Sequence, residues 1–335
     1  KHADVAPLIL CPTEYNKSWA GKHYLPTLGK VMDKDIRIMW TGATVVDMIN
    51  QTDMDWINGR IDRNAYIWLN YPVNDFCIDH MLMGPTYGND LNIAHQLSGF
   101  VSNPMEYAEA SKVSLYSIAD YTWNMDAYSS QSSWERALVE LMPTHVEAFR
   151  IFCEHNIDLG PTGHGLRRQG ESASFKKAAD TFSATLAQGY DAAAVRCMAK
   201  EFGTMIQAAD ELLTSTDEPE LIAEITPWLE VMKIIGQRGE TVMQLYDLLH
   251  QADEKGFVKA YEQLMQLEQI QKSILSRNFE GSIKKPNPTV ANEVVAPFIK
   301  ACTKDLVRTY KSKYSYRTDI FPAELIEEGR YYIKV

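Results

Sequence analysis

The sequence predicts an α/β layer followed by an all-α region. Three observations carry that reading. Four apolar runs, Val5 to Cys11, Ile36 to Thr41, Ala65 to Asn70 and Ser98 to Asn103, end 30, 29 and 33 positions apart, about one strand–helix unit each. Within a run, consecutive positions are apolar, as in Leu8-Ile9-Leu10 and Ile36 to Trp40, which a parallel sheet buried on both faces requires. From about residue 130 the strand signal stops and helical periodicity takes over.

Segments Val45 to Ile61 and Met105 to Trp123 are predicted helices between and after the runs. Further on, Val242, Leu245, Tyr246 and Leu249 share one helical stripe, as do Val295, Phe298, Ile299, Cys302 and Leu306. Thr216-Asp217-Glu218-Pro219 and Lys285-Pro286-Asn287-Pro288 break the helices. The organisation expected is a strand-bearing domain over 1–125, a helical bundle over 126–315, and a final segment, 316–335, leading onward.

Each run ends in polar or aromatic chemistry: Cys-Pro-Thr-Glu-Tyr, Trp-Thr-Gly, Trp-Leu-Asn-Tyr-Pro-Val-Asn-Asp and Asn-Pro-Met-Glu. In a (β/α) barrel the active site gathers at the C-terminal ends of the strands. In an open doubly wound sheet it sits at a switch point instead. Closing a barrel of this kind takes eight strands, and the pattern supplies four.

Composition narrows the function classes. The net charge of −11 argues against a partner that presents a phosphate backbone, so no nucleic acid is expected. No apolar run approaches the roughly 20 residues that span a bilayer. The five cysteines, Cys11, Cys77, Cys153, Cys197 and Cys302, are widely spaced without a CxxC pair, and the eight histidines show no ligand spacing. Neither a metal nor a cofactor is expected.

Several motifs carry two readings. Asn103-Pro104 can start a helix, with Asn103 as its cap, or Asn103 can present its amide to sugar hydroxyls. Trp68 and Asn70 lie two apart on a strand and face one side, with Leu69 on the other. An aromatic beside an amide suits a sugar ring; it also suits a core tryptophan beside a strand-ending amide. Asp75 can cap a helix or hold two adjacent hydroxyls. Thr41-Gly42 can be a plain turn. Cys11 lacks a placed histidine partner, which leaves it as a small thiol lining a pocket rather than a nucleophile. The glycine-rich stretch Gly160 to Arg167 lacks the Lys-Ser/Thr of a phosphate loop and reads as an interhelical loop.

Taken together, Cys11-Pro-Thr-Glu-Tyr15-Asn-Lys-Ser-Trp19, Ile38-Met-Trp-Thr-Gly42, Ile67-Trp-Leu-Asn-Tyr-Pro-Val-Asn-Asp75 and Ser102-Asn-Pro-Met-Glu106 resemble glycoside hydrolase family 84 in order and spacing. Leu82-Met-Gly-Pro85, Tyr87-Gly-Asn-Asp90 and Asp158 to Gly165 add to the likeness, which is nearest to enzymes of Bacteroides-like bacteria. The resemblance implies that residues 1–125 are strands five to eight, the second half, of a (β/α)8 TIM barrel, with a helical bundle after it. It implies a retaining exo-β-N-acetylglucosaminidase of the O-GlcNAcase type, in which the sugar's own 2-acetamido oxygen attacks the anomeric carbon. By position, Cys11, Thr41 and Trp68 line the N-acetyl pocket, and Tyr15 sits beside the acetamide. Asn70 lies near the reacting centre, Asp75 binds the 4- and 6-hydroxyls, and Asn103 meets the hydroxyl edge of the ring. Leu69 stands where close relatives carry Trp.

One departure is large. The family's catalytic Asp-Asp pair ends the strand before the Cys-Pro-Thr-Glu-Tyr motif, and the 335 residues contain no Asp-Asp dipeptide. The expectation is therefore that the intact protein is the enzyme, that the N-terminal half of the barrel is a required partner, and that this chain alone is inactive. The expected ligands are β-linked N-acetylglucosamine glycans or O-GlcNAc-modified protein, in a periplasmic or secreted setting by resemblance. Two other readings stay open: a non-catalytic N-acetylglucosamine-binding protein, and a hyaluronidase.

Overall fold

A computed structural model describes residues 6–157, 170–276 and 287–314. Among them are four strands, β1 (Ile9–Leu10), β2 (Arg37–Trp40), β3 (Ala65–Leu69) and β4 (Leu97–Ser102), paired in parallel in the order β1-β2-β3-β4. Helices α1 (Tyr24–Val31), α2 (Gln51–Ile61) and α3 (Ala108–Trp123) interleave with and follow them. Then come α4 (Ser130–Leu141), α5 (Val146–Glu154), α6 (Ala173–Leu186), α7 (Ala192–Leu213), α8 (Pro219–His250), α9 (Glu254–Ser273) and α10 (Val295–Lys313). This is an α/β layer followed by helices.

The chain divides into two compact units. One comprises Lys1–Val146, Asn156–Gly170 and Asp217–Glu224; the other comprises Glu147–His155, Glu171–Thr216 and Ile225–Val335. The first unit takes in α4, beyond residue 125, where the Trp134 indole N–H donates to the Met83 carbonyl at 2.8 Å. That bond ties the helix to the loop that follows β3.

The two faces of the sheet differ. Ile38, Trp40, Ala65, Ile67 and Leu69 are fully buried on the helix-covered face. The register Ile9↔Arg37, Met39↔Tyr66 and Trp68↔Val101 puts those six residues together on the other face. There Ile9 and Val101, on the two edge strands, are 45% and 37% exposed. Gly99 makes close packing possible on this face: a Cβ there would fall 2.2 Å from the Tyr66 ring.

Several expectations need correction. Helix α1 carries no clear helical pattern in the sequence, because Pro26 and Gly29 interrupt its apolar positions. Pro26 sits in the first turn, where backbone N–H groups have no intrahelical acceptor anyway. Gly29 allows α1 to touch α2, since a Cβ there would meet the Ile61 carbonyl carbon at 2.6 Å. The helix expected over Val45 to Ile61 starts only at Gln51, where Asn50 accepts from the Asp53 N–H at 3.0 Å and donates back to its carboxylate at 2.7 Å. The helix expected from Met105 starts at Ala108, so Asn103 is not its cap. Asp75 caps no helix either, since it lies in a turn with none following.

In the second unit the two predicted stripes are helical. Val242 and Leu245 of α8 are buried, as are Val295, Ile299, Cys302 and Leu306 of α10. Phe298 joins a ring cluster with Phe175, Phe182 and Phe202. The break at Thr216–Pro219 separates α7 from α8. The Gly160–Arg167 stretch lies outside the described residues, as do Lys285 and Pro286.

Candidate sugar pocket

The strand ends build the site. Continuing the two-residue alternation, Cys11, Thr41, Asn70 and Asn103 extend β1 to β4 on the less covered face, at the C-terminal end of every strand. They surround a cavity of about 230 Å³ lined by Cys11, Tyr15, Thr41, Trp68, Asn70, Asp75 and Asn103, with Val45, Val46, Val73 and Phe76. All seven residues singled out from the sequence meet there.

Two amides interlock in it. Asn70 Nδ2 donates to the Val45 carbonyl at 2.7 Å, and Asn70 Oδ1 accepts from Asn103 Nδ2 at 3.2 Å. Each amide has two N–H donors and a carbonyl oxygen. Asn103 therefore keeps its oxygen and one N–H for a further partner. Asp75 is exposed at the rim.

Loop 41–47 forms another wall. Thr41 N–H donates to the Tyr15 carbonyl at 2.9 Å, while Lys17 and Ser18 N–H donate to the Gly42 and Ala43 carbonyls at 3.1 and 2.9 Å. The Tyr15 segment is thus laced to the loop after β2. Asn16 turns it, accepting from the Trp19 N–H at 3.1 Å, and Trp19 meets the Tyr15 ring edge-on at 4.9 Å. Asp47, buried, accepts from the Ala43 and Met48 N–H groups at 2.5 and 2.8 Å. Burial pushes its pKa up, and hydrogen bonds from Ala43, Met48 and Thr44 partly offset that rise.

Cys11 is exposed, and partial desolvation on its pocket side raises its thiol pKa; desolvation followed by proximity to Cys11 raises that of Tyr15. A raised thiol pKa works against a nucleophilic thiolate at Cys11. Among the described residues no group of three His, Cys, Asp or Glu side chains is placed to hold a metal ion, and no helix is long and apolar enough to cross a membrane.

Sequence reasoning missed Val45, Val46, Val73 and Phe76 as lining residues, and Asp47 behind them. The helical pattern over Val45 to Ile61 places Val45 and Val46 in a helix, and the structure puts them in the loop before α2. Apolar residues in irregular loops carry no periodicity, so only their three-dimensional placement distinguishes them from core.

The family model for beta-N-acetylglucosaminidase matches residues 1–154, and the model for the bacterial GH84 post-catalytic domain matches residues 171–302. The chain belongs to glycoside hydrolase family 84. Within family 84 the solved structure of CpGH84D is similar at a TM-score of 0.83 and 27% identity, covering 90% of this chain and 51% of that one. CpGH84B is similar at a TM-score of 0.76 and 28% identity, covering 88% and 51%. The protein O-GlcNAcase of Rattus norvegicus is 31% identical over 121 residues, 34% of this chain and 13% of the relative. This family 84 chain therefore spans about half of the solved chains it resembles, and its match to the curated relative covers a small part of that protein.

Proposed function

We propose that residues 1–125 are strands five to eight of a (β/α)8 barrel and that residues 126–315 are the helical bundle after it. Four parallel strands in sequential order support this, with helices on one face and a pocket at the C-terminal ends. The less covered face fits a barrel interior, and β1 and β4, at the two edges, fit the seams of a closed barrel.

On that scaffold the pocket is read as the N-acetylglucosamine site of a retaining exo-β-N-acetylglucosaminidase acting on O-GlcNAc or related β-linked sugars. Cys11, Thr41 and Trp68 surround the acetamide methyl, with Tyr15 beside the acetamide oxygen. Asn70 sits near the anomeric centre, and Asn103 and Asp75 take the hydroxyl edge. The chemistry is nucleophilic attack by the substrate's own acetamide, so these residues contribute orientation and electrostatics. The acid and base would be the paired aspartates that resemblance sets at the end of the strand preceding β1. The observation carrying the reading is that all seven residues converge on one cavity.

The test has two arms. Residues 1–335 are titrated with N-acetylglucosamine, and the same chain extended upstream is assayed on an aryl β-N-acetylglucosaminide. The expected result is saturable binding in the first arm and hydrolysis with retention only in the second. No binding would sink the pocket assignment. Binding without hydrolysis in the extended protein would favour the non-catalytic sugar-binding alternative, and cleavage inside a hyaluronan polymer would favour the hyaluronidase.

A further inference from the structure

We propose that Asp47 is a positioning residue for this pocket: its buried carboxylate holds loop 41–47 in the one shape that presents both Tyr15 and the Asn70–Asn103 pair. The inference rests on the pocket reading above and adds a residue that lies behind the lining.

Asp47 is 3% exposed and gathers N–H groups from Ala43, Thr44 and Met48. The loop closes around it closely. Gly42 has φ +117°, and a Cβ there would fall 2.7 Å from both Asp47 Cβ and Oδ2. A carboxylate accepts several hydrogen bonds without supplying a donor, which suits a site lined by converging N–H groups. Two lines of connection leave the loop. In one, the Gly42 and Ala43 carbonyls receive the Lys17 and Ser18 N–H groups, which sets the segment carrying Tyr15. In the other, the Val45 carbonyl receives Asn70 Nδ2, and Asn70 Oδ1 receives Asn103 Nδ2. Thr41 and Val45 lie in the loop and line the cavity themselves. Asp47 is not among the lining residues, so it acts through these others rather than on a ligand. Asp53 of α2, whose negative charge opposes that of Asp47, is itself paired with Lys17 at 2.9 Å.

The experiment uses residues 1–335 with Asp47→Ala and Asp47→Asn. Asparagine keeps one accepting oxygen, so it should retain part of the effect. Three quantities are read: hydrogen exchange at the Lys17 and Ser18 amides, the side-chain amide resonances of Asn70 and Asn103, and the Kd for N-acetylglucosamine. Expected for Asp47→Ala are faster exchange at both amides, displaced Asn70 and Asn103 signals, and binding weakened about tenfold or more. Asp47→Asn should fall between. Should Asp47→Ala fail to fold, the same readings on Asp47→Asn decide. Wild-type exchange and wild-type asparagine signals in a folded variant would overturn the proposal, as would unchanged sugar affinity. If the wild-type chain does not bind the sugar, the pocket reading fails. The exchange and the asparagine signals still judge Asp47 by the same criteria.

Discussion

Asn103 Nδ2 donates to Asn70 Oδ1 at 3.2 Å, joining the end of β4 to the end of β3 inside the pocket. The bond determines which face of each amide is left for a ligand. Asn70 is 8% exposed, so its oxygen has little access to water as a substitute donor. Asn103→Ala should cost about 1 kcal/mol of stability, and a double-mutant cycle with Asn70→Ala should give a coupling of about 0.5–1 kcal/mol. Urea denaturation measures both. Strictly additive losses would mean that the two amides do not act as a pair.

Asp75 separates binding from folding. It is exposed and caps no helix, so Asp75→Ala should leave the melting temperature close to wild type. Loss of a charge-assisted bond to a hydroxyl costs about 1.5–3 kcal/mol, so affinity for N-acetylglucosamine should fall roughly 10- to 150-fold. An unchanged Kd would remove Asp75 from the ligand set.

Gly42 should not tolerate a side chain. Its φ of +117° is strained for any other residue, and a Cβ would overlap Asp47. Gly42→Ala should lower stability by about 1–3 kcal/mol, read by urea denaturation. A substitution that cost nothing would show that the loop has an alternative path.

His155 should make the second unit sensitive to acid. Burial lowers its pKa to about 4 from 6.5, and its ring Nδ1 lies 2.7 Å from the Ser172 hydroxyl. Between those values the unfolded chain binds more protons than the folded one, so stability rises with pH. The contribution is fully present above the unfolded pKa and is lost as pH falls toward about 4. Its full size is roughly 3 kcal/mol. Urea unfolding at neutral and mildly acidic pH should show a smaller acid loss in His155→Asn than in wild type. Equal losses would assign the acid sensitivity to other groups.

The pattern of residue types was enough to locate four strands, because the runs are apolar at consecutive positions; the structure buries one face fully, at Ile38, Trp40, Ile67 and Leu69, and leaves Ile9 and Val101 on the other face partly exposed. It was also enough to mark Trp68 and Asn70 as facing one side, since strand alternation is a property of the backbone. The stripes of α8 and α10 were legible for the same reason, through the helical period. Where the alternatives were local, the sequence left them open. Asn103 and Asp75 are residue types that cap helices and also bind hydroxyls, and no property of the chain near them chooses. The tertiary structure chose against capping: α3 starts past Asn103, and Asn70, 33 positions away, takes its amide. Helix α1 and the loop 41–50 were hidden by the same limit. Pro26 is tolerated in the first turn of α1 and Gly29 by close contact with α2, and Val45 to Asp47 are shaped by bonds to Asn70 and to the loop's own N–H groups. Periodicity reports which face of an element is buried; which distant groups a loop must satisfy is decided only when the strands bring them together.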